Sequence, residues 1–315
     1  MRFDQMGLDG ALLAGIQDLG FTQPTPIQRG ALPPALEGRD VLACAMTGSG
    51  KTAAFVLPLL QRLHLTPGRR GGTRALVLTP TRELASQVQE HLEALGRHTK
   101  IRSITVFGGV NANPQQRALE RGVDVVVATP GRLLDHIRQG NVRFGDIEVL
   151  VLDEADRMLD MGFLPDVERI LATLPRERQT MLFSATLPRP IVELSKKLLD
   201  NPARLDVERP SAPAEGVKQE ILPVPEKLKP YLLVELFRRG DVETALVFTR
   251  TKHRANRLAA HLEASGIQAD RIHGNRSQKQ REAALASFKA GKLQVLVATD
   301  IAARGLDVEA LPHVI

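Results

Sequence analysis

The 315-residue sequence contains no tryptophan, one tyrosine and one cysteine. A lone cysteine, Cys44, cannot form an internal disulfide, so nothing in the chain needs an oxidising compartment, and a reducing cytoplasm is the expected setting. No apolar run approaches the roughly 18 residues of a membrane span. The N-terminal MRFDQMGLDGALLAGI carries acidic residues where a signal peptide has its apolar core. A soluble chain without a membrane partner is expected.

What the chain does have is ordinary globular material. Hydrophobic residues make up 43% and charged residues 25%, which excludes a disordered or collagen-like chain. The length suits about two domains. A formal charge of +6 favours a polyanionic partner without specifying a fold.

From residue 40, short Val/Ile/Leu-rich runs alternate with longer segments of helical period, the pattern of a parallel sheet covered by helices. Strands are expected at 40–45, 74–79, 101–107, 123–128, 147–152 and 178–183, then at 243–249, 267–272 and 293–298. Between the two sets, 208–216 (ERPSAPAEG) lacks an apolar period and reads as a linker. The expected domains are 1–207 and 217–315, the fold class α/β. Residues 75–96 align without a gap on 245–266, with 11 of 22 positions identical, which suggests two copies of one α/β unit. The second copy, 217–315, holds 16 Lys and Arg against 11 Asp and Glu, and so carries +5 of the +6.

Residues 45–52, AMTGSGKT, follow one strand and open a helical run. In such a loop glycines let backbone N–H groups turn in around phosphate oxygens, and the helix N-terminus adds partial positive charge. Lys51 would reach the β/γ-phosphates, and the Thr52 hydroxyl would ligate Mg²⁺. Ala45 stands where the strict pattern has Gly. A metal-bound nucleotide also needs an acidic strand end, and the run 147–152 ends at Asp153 and Glu154. Asp153 would serve the metal, while Glu154 would orient or deprotonate the attacking water.

At this point the chain resembles the DEAD-box RNA helicases, since Asp153-Glu154-Ala155-Asp156 spells that family's name. The resemblance implies two tandem RecA-like P-loop domains that close on ATP, Mg²⁺ and RNA. TQPTPIQ (22–28), with Phe21 before it and Phe3 17 residues before Gly20, is similar to the Q motif, in which Gln28 would read adenine. The resemblance implies nucleotide contacts at Phe3, Phe21, Gln28, Thr47, Gly48, Ser49, Gly50, Lys51, Thr52, Gly305 and Asp307.

PTREL (Pro80, Thr81, Arg82 and on), Gly108-Gly109 and TPGR (Thr129, Pro130, Gly131, Arg132) resemble the family's RNA-backbone motifs. So, in the second domain, do VFTRT with Thr249 and Arg250, QKQR with Arg281, and ATDIAARGLD with Thr299 and Asp300. Ser184-Ala185-Thr186 resembles the element linking hydrolysis to strand separation, which adds Ser184 and Thr186 to Lys51, Asp153 and Glu154 as catalytic candidates. FGGVNANPQ and VFTRTKHRANRLA are most similar to the bacterial RhlE-type subgroup.

Alone, each short motif has a structural explanation: TPGR is a capped helix start, Gly108-Gly109 a turn, and SAT a strand-end cap. Cys44 reads as a small buried hydrophobe and His273 as a turn residue. With so few aromatics, base stacking cannot be the main grip on a single strand, so recognition should run through the RNA backbone with little sequence preference. Two other readings stand beside this one. One is a nucleotide- and RNA-binding species with little turnover, because the strand resembling ALPHVI, after which the family carries its arginine finger, ends at Ile315. An incomplete second domain of that kind would expose a sheet edge and favour self-association. The other is a P-loop motor on DNA.

Overall fold

The computed structural model describes residues 2–46, 48–66, 72–206, 217–299, 308 and 311–315. The linker expected at 208–216 lies outside them. The chain divides into two units, 1–211 and 212–315.

The first unit is built on seven strands: β1 (Val41–Cys44), β2 (Ala75–Leu78), β3 (Ser103–Val106), β4 (Val125–Ala128), β5 (Val149–Leu152), β6 (Gln179–Ser184) and β7 (Ala203–Asp206). Every pairing is parallel, in the order β3-β4-β2-β5-β6-β1-β7. The helices are α1 (Gly10–Asp18), α2 (Pro26–Leu36), α3 (Lys51–Leu65), α4 (Arg82–Leu95), α5 (Ala112–Arg121), α6 (Pro130–Arg138), α7 (Ala155–Asp160), α8 (Leu164–Leu171) and α9 (Arg189–Leu198).

The continuous apolar runs arise because both sheet faces are covered. Val149 and Val151 join one core with Ile27, Leu32, Phe55 and Leu59, whereas Leu150 and Leu152 join the other with Leu133, Met158 and Ile170. Helix α3 is buried almost all round, from Lys51 through Leu63. Phe55 of α3 meets Phe183 of β6 with ring centroids 5.3 Å apart. Burying a side chain of that size stabilises by about 1.5–3 kcal/mol, so the helix that follows the 45–52 loop is anchored on the sheet.

The second unit has β8 (Ala245–Thr249), β9 (Ala269–Ile272), β10 (Val295–Thr299) and β11 (His313–Val314) in the parallel order β11-β8-β10-β9. Its helices are α10 (Lys229–Arg239), α11 (Lys252–Ala264) and α12 (Gln278–Lys289). The internal repeat is preserved in three dimensions. Ala75 pairs with Val125 and Ala245 with Val295, the same register 170 residues on. Thr81 caps α4 by accepting from Leu84 N at 3.3 Å, and Thr251 caps α11 by accepting from Arg254 N at 3.3 Å.

Strand β7 was not among the expected strands. It lies at a sheet edge and alternates half-buried with exposed residues, so it offers no apolar run to find. Among the described residues no helix is long and apolar enough to cross a membrane.

Candidate nucleotide and RNA site

A parallel sheet places every strand's carboxyl end on one edge, the position at which open α/β sheets bind ligands. In the first unit that edge divides into two halves. The loops after the adjacent strands β5, β6 and β1 carry Asp153 to Asp156, Ser184 to Thr186, and the 45–52 loop. The loops after β2, β4 and β3 carry Pro80 to Arg82, Thr129 to Arg132, and Gly108-Gly109.

The 45–52 loop is shaped by glycines at two positions where a side chain would fail. Gly48 and Gly50 have φ of 82° and 91°, and a Cβ on Gly50 would lie 2.6 Å from Gln28 Nε2 and 2.9 Å from Thr25 Oγ1. Gln28 is therefore packed on the loop itself. Its Nε2 donates to Gly50 O at 3.0 Å, while its Oε1 accepts from Thr25 N at 3.0 Å in a capping box at the start of α2. Ser49 Oγ donates to Met46 O at 2.7 Å. Lys51, only 6% exposed, donates from Nζ to Ala45 O at 2.9 Å, and Thr52 beside it is half-buried. Phe3 is buried in the core of the first unit, whereas Phe21 is 36% exposed.

Asp153 is 2% exposed, and burial pushes its carboxyl up to about 7 against the opposing charge of Lys51. Its Oδ1 accepts from Glu154 N at 3.0 Å. Glu154 caps α7 in the left-handed region, φ 52° and ψ 53°, and its Oε2 accepts from Arg157 Nη1 at 2.6 Å. Asp156 ties this loop to the next one. Its N–H donates to Ser184 Oγ at 3.1 Å, and its Oδ2 accepts from the Thr186 N–H and hydroxyl. The Ser184 hydroxyl in turn donates to Thr186 O at 2.7 Å. Ala45 N donates to Ser184 O at 2.9 Å, so the three loops form one hydrogen-bonded set. Cys44 lies half-buried among them, its Sγ 3.5 Å from Ala185 O.

On the other half, two guanidinium groups converge on one turn. The Arg82 side chain packs against Gly109, where φ is 77° and any Cβ would collide with it. A Cβ on Gly108 would lie 3.7 Å from Arg82 Nη2 and 4.0 Å from Arg132 Nη2, and Arg132 Nη1 donates to Val110 O at 3.4 Å. Gln115 braces the turn by donating to Phe107 O at 3.0 Å. Pro80, Thr81, Thr129 and Pro130 are buried strand-end or helix-start residues, and Gly131 is half-buried.

In the second unit, Thr249 and Thr299 are direct partners at the ends of β8 and β10. Thr249 Oγ1 lies 3.4 Å from Thr251 O, repeating the contact of Thr79 Oγ1 with Thr81 O at 3.2 Å in the first unit. Arg250 is exposed and Arg281 half-buried. His273 is a turn residue with a buried ring, bonded through Nε2 to Asn256 Oδ1 at 2.9 Å; burial and the charge of Arg276 hold its pKa below the usual histidine value. Thr47, Asp300, Gly305 and Asp307 lie outside the described residues.

The partnership of Glu154 with Arg157 and the brace from Gln115 have no counterpart in the sequence reading. The first is hidden in an i, i+3 spacing that any solvated helix shows. The second depends on a contact that only the folded turn creates.

Comparison with known proteins identifies the family. Residues 25–194 match the DEAD/DEAH box helicase family and 228–315 the helicase conserved C-terminal domain. The chain is 42% identical over 312 residues to the DEAD-box ATP-dependent RNA helicase CshA of Bacillus cereus, covering 99% of this chain and 59% of that protein. It thus spans about three-fifths of the length of that relative. S. cerevisiae Dbp5, solved bound to RNA and ADP BeF3, superposes with a TM-score of 0.88 at 32% identity, over 99% of this chain and 79% of that one. A DEAD box protein from the hyperthermophile Methanococcus jannaschii matches at 38% identity with a TM-score of 0.63, over 100% of this chain and 84% of that one. With two RecA-like units and its motifs at the strand ends, the chain belongs to the DEAD-box helicase family.

Proposed function

We propose that the protein is an ATP-dependent RNA helicase that couples ATP hydrolysis to local separation of RNA strands, with residues 1–207 and 217–315 as its two functional domains. The observation that carries the reading is the divided sheet edge, with phosphate-loop and acidic candidates at the ends of β1, β6 and β5 and backbone-binding candidates at β2, β4 and β3. Dbp5, with RNA and ADP BeF3 bound, supports both ligands.

The amide groups of Gly48, Ser49 and Gly50 would receive phosphate oxygens, and Lys51 Nζ would exchange Ala45 O for them. Gln28 and Phe21 would form the adenine end, with Phe3 buried in the core and closed to a ligand, and Thr47, Gly305 and Asp307 would complete the nucleotide contacts. Thr52 and Asp153 fit Mg²⁺: a carboxylate this buried is poorly ionised unless a cation faces it, and a hydroxyl plus one carboxylate is an ordinary protein share of that ion's shell. Bound there, the ion would neutralise charge on the phosphate oxygens. Glu154 would accept the proton of the attacking water. Ser184 and Thr186, bonded to Asp156, would pass a change at the acidic loop to the neighbouring one.

RNA would be held through phosphate and ribose by Arg82, Arg132, Arg250 and Arg281, by the amides at Gly108, Gly109 and Gly131, and by Thr81, Thr129, Thr249, Thr299 and Asp300. Such contacts carry little sequence information, and 2′-hydroxyl contacts would separate RNA from DNA. A RhlE-type placement within the family rests on FGGVNANPQ and VFTRTKHRANRLA.

The test is RNA-stimulated phosphate release by the full-length protein. Lys51→Ala and Glu154→Gln should each abolish it, and unchanged release in either variant overturns the assignment. Competition between RNA and DNA of equal length separates this reading from a DNA motor.

A further inference from the structure

Glu154 and Arg157 form an ion pair at 2.6 Å with side chains only 9% and 10% exposed. Solvent and salt screen such a pair far less than a surface pair. Glu154 is also held in a backbone conformation that glutamate adopts rarely, φ 52° and ψ 53°, which persists only where the surroundings over-determine it. They do so here from three directions. The Glu154 N–H donates to Asp153 Oδ1 at 3.0 Å, the Glu154 carbonyl accepts from the N–H groups of Arg157 and Met158 at 3.0 and 3.1 Å, and Arg157 Nη1 donates to Oε2. The bond from Arg157 thus falls on Oε2, one of the two carboxylate oxygens.

We propose that Arg157 is a positioning residue for ATP hydrolysis: by taking Oε2 it fixes the Glu154 carboxylate in one orientation and leaves Oε1 as the oxygen that meets the attacking water. The inference rests on the reading of Glu154 as the acceptor of that water's proton. In the step itself the water oxygen bonds to the γ-phosphorus while the bond from that phosphorus to the bridging oxygen breaks. The bonding electrons leave with ADP, and one water proton passes to Glu154. Arg157 touches neither water nor phosphate in this scheme. Its effect is geometric, because a misplacement of about 1 Å at a reacting group can cost ~10² in rate. The planar guanidinium matters beyond its charge, since its donors lie in a rigid fork whereas a lysine ammonium is a mobile point charge.

The experiment uses the full-length protein with Arg157→Met and Arg157→Lys, each alone and combined with Glu154→Gln. It reads RNA-stimulated kcat, KM for ATP, affinity for a fluorescent ATP analogue, and melting temperature. Arg157→Met should lower kcat roughly 10- to 100-fold while KM and nucleotide affinity stay within about twofold. Arg157→Lys should recover part of the loss. In the Glu154→Gln background, Arg157→Met should bring no further fall, because the group it positions is already gone. Wild-type kcat in Arg157→Met, or an equal loss with and without Glu154, overturns the proposal. A parallel loss of nucleotide affinity does so as well. Should Arg157→Met fail to fold, Arg157→Lys decides alone: a several-fold fall in kcat at constant KM supports the proposal, and wild-type kcat overturns it. If Glu154→Gln itself turns over normally, the role of Glu154 falls and that of Arg157 with it, an outcome distinct from active Arg157→Met beside inactive Glu154→Gln.

Discussion

Asp156 accepts two hydrogen bonds from Thr186 through one carboxylate oxygen, from the N–H at 2.8 Å and from the hydroxyl at 2.7 Å. Burial alone would push the Asp156 carboxyl up, but these bonds, led by the Thr186 hydroxyl, hold it below the usual carboxylate value. A group whose folded pKa is depressed adds stability above its unfolded value, about 3.9 for aspartate, and loses that contribution as pH falls through the lowered folded value. Thr186→Val keeps the side-chain shape and the N–H but removes the hydroxyl. It should cost about 1 kcal/mol at neutral pH, and because the folded pKa then lies closer to the unfolded one, less stability should be lost on acidification than in the parent. Denaturant titrations at neutral pH and near pH 4 check both.

Gly50 is fixed by conformation and by space together. At φ 91° a side chain is strained, and its Cβ would press on Gln28 Nε2 and Thr25 Oγ1. Gly50→Ala should therefore disturb both the 45–52 loop and the start of α2. The expected result is a stability loss of about 1–3 kcal/mol with nucleotide affinity reduced at least tenfold. Gly145→Ala is the control, because nothing lies within 4 Å of a Cβ there. It should change neither quantity, as equilibrium unfolding and titration with a fluorescent ATP analogue would show.

These two sites also mark how far the sequence can be read. The doubly covered strands are legible because Val149 to Leu152 and their neighbours must be apolar on both faces. The candidate loops are legible because a parallel sheet puts them at successive strand ends, where AMTGSGKT and DEAD stand out against apolar runs. The contacts between loops are not legible. Gln28 and Gly50 are 22 residues apart, and Asp156 and Thr186 are 30 apart. Only the strand order β5-β6-β1 makes neighbours of the loops that carry Asp156, Thr186 and the 45–52 segment. Edge strand β7 escapes for the opposite reason, since Arg204 and Asp206 face solvent and leave no apolar signal.

Arg82 and Arg132 meet over the Gly108-Gly109 turn, and two cations beside one glycine turn suit a phosphate better than a base edge. If each neutralises one phosphate, Arg82→Ala or Arg132→Ala should weaken RNA binding to a similar degree for all sequences. Each should also lower the slope of log affinity against log salt by ~0.7, the value for one phosphate on a single strand. Fluorescence anisotropy with unstructured RNAs of different composition, between about 50 and 200 mM salt, measures both effects. A loss confined to one sequence, or an unchanged slope, would mean that these arginines do not grip the backbone.

His136 provides a second pH handle, away from the acidic loop. It is 1% exposed on α6, its Nδ1 accepts from Asn141 Nδ2 at 3.0 Å, and burial followed by the charge of Arg132 holds its pKa below the usual histidine value despite Asp135. Protonation would place a charge in the core and remove the acceptor that Asn141 uses. Because the folded pKa is lowered, the unfolded chain binds the proton first as pH falls through about 6.5, and stability declines from there down to the folded pKa. The decline can reach about 1.4 kcal/mol for each pH unit between the two values. His136→Gln, which cannot titrate, should remove this component, so unfolding free energies at pH 7.5 and 5.5 should lie closer together in the variant than in the parent. An equal drop in both proteins would place the acid sensitivity elsewhere in the fold.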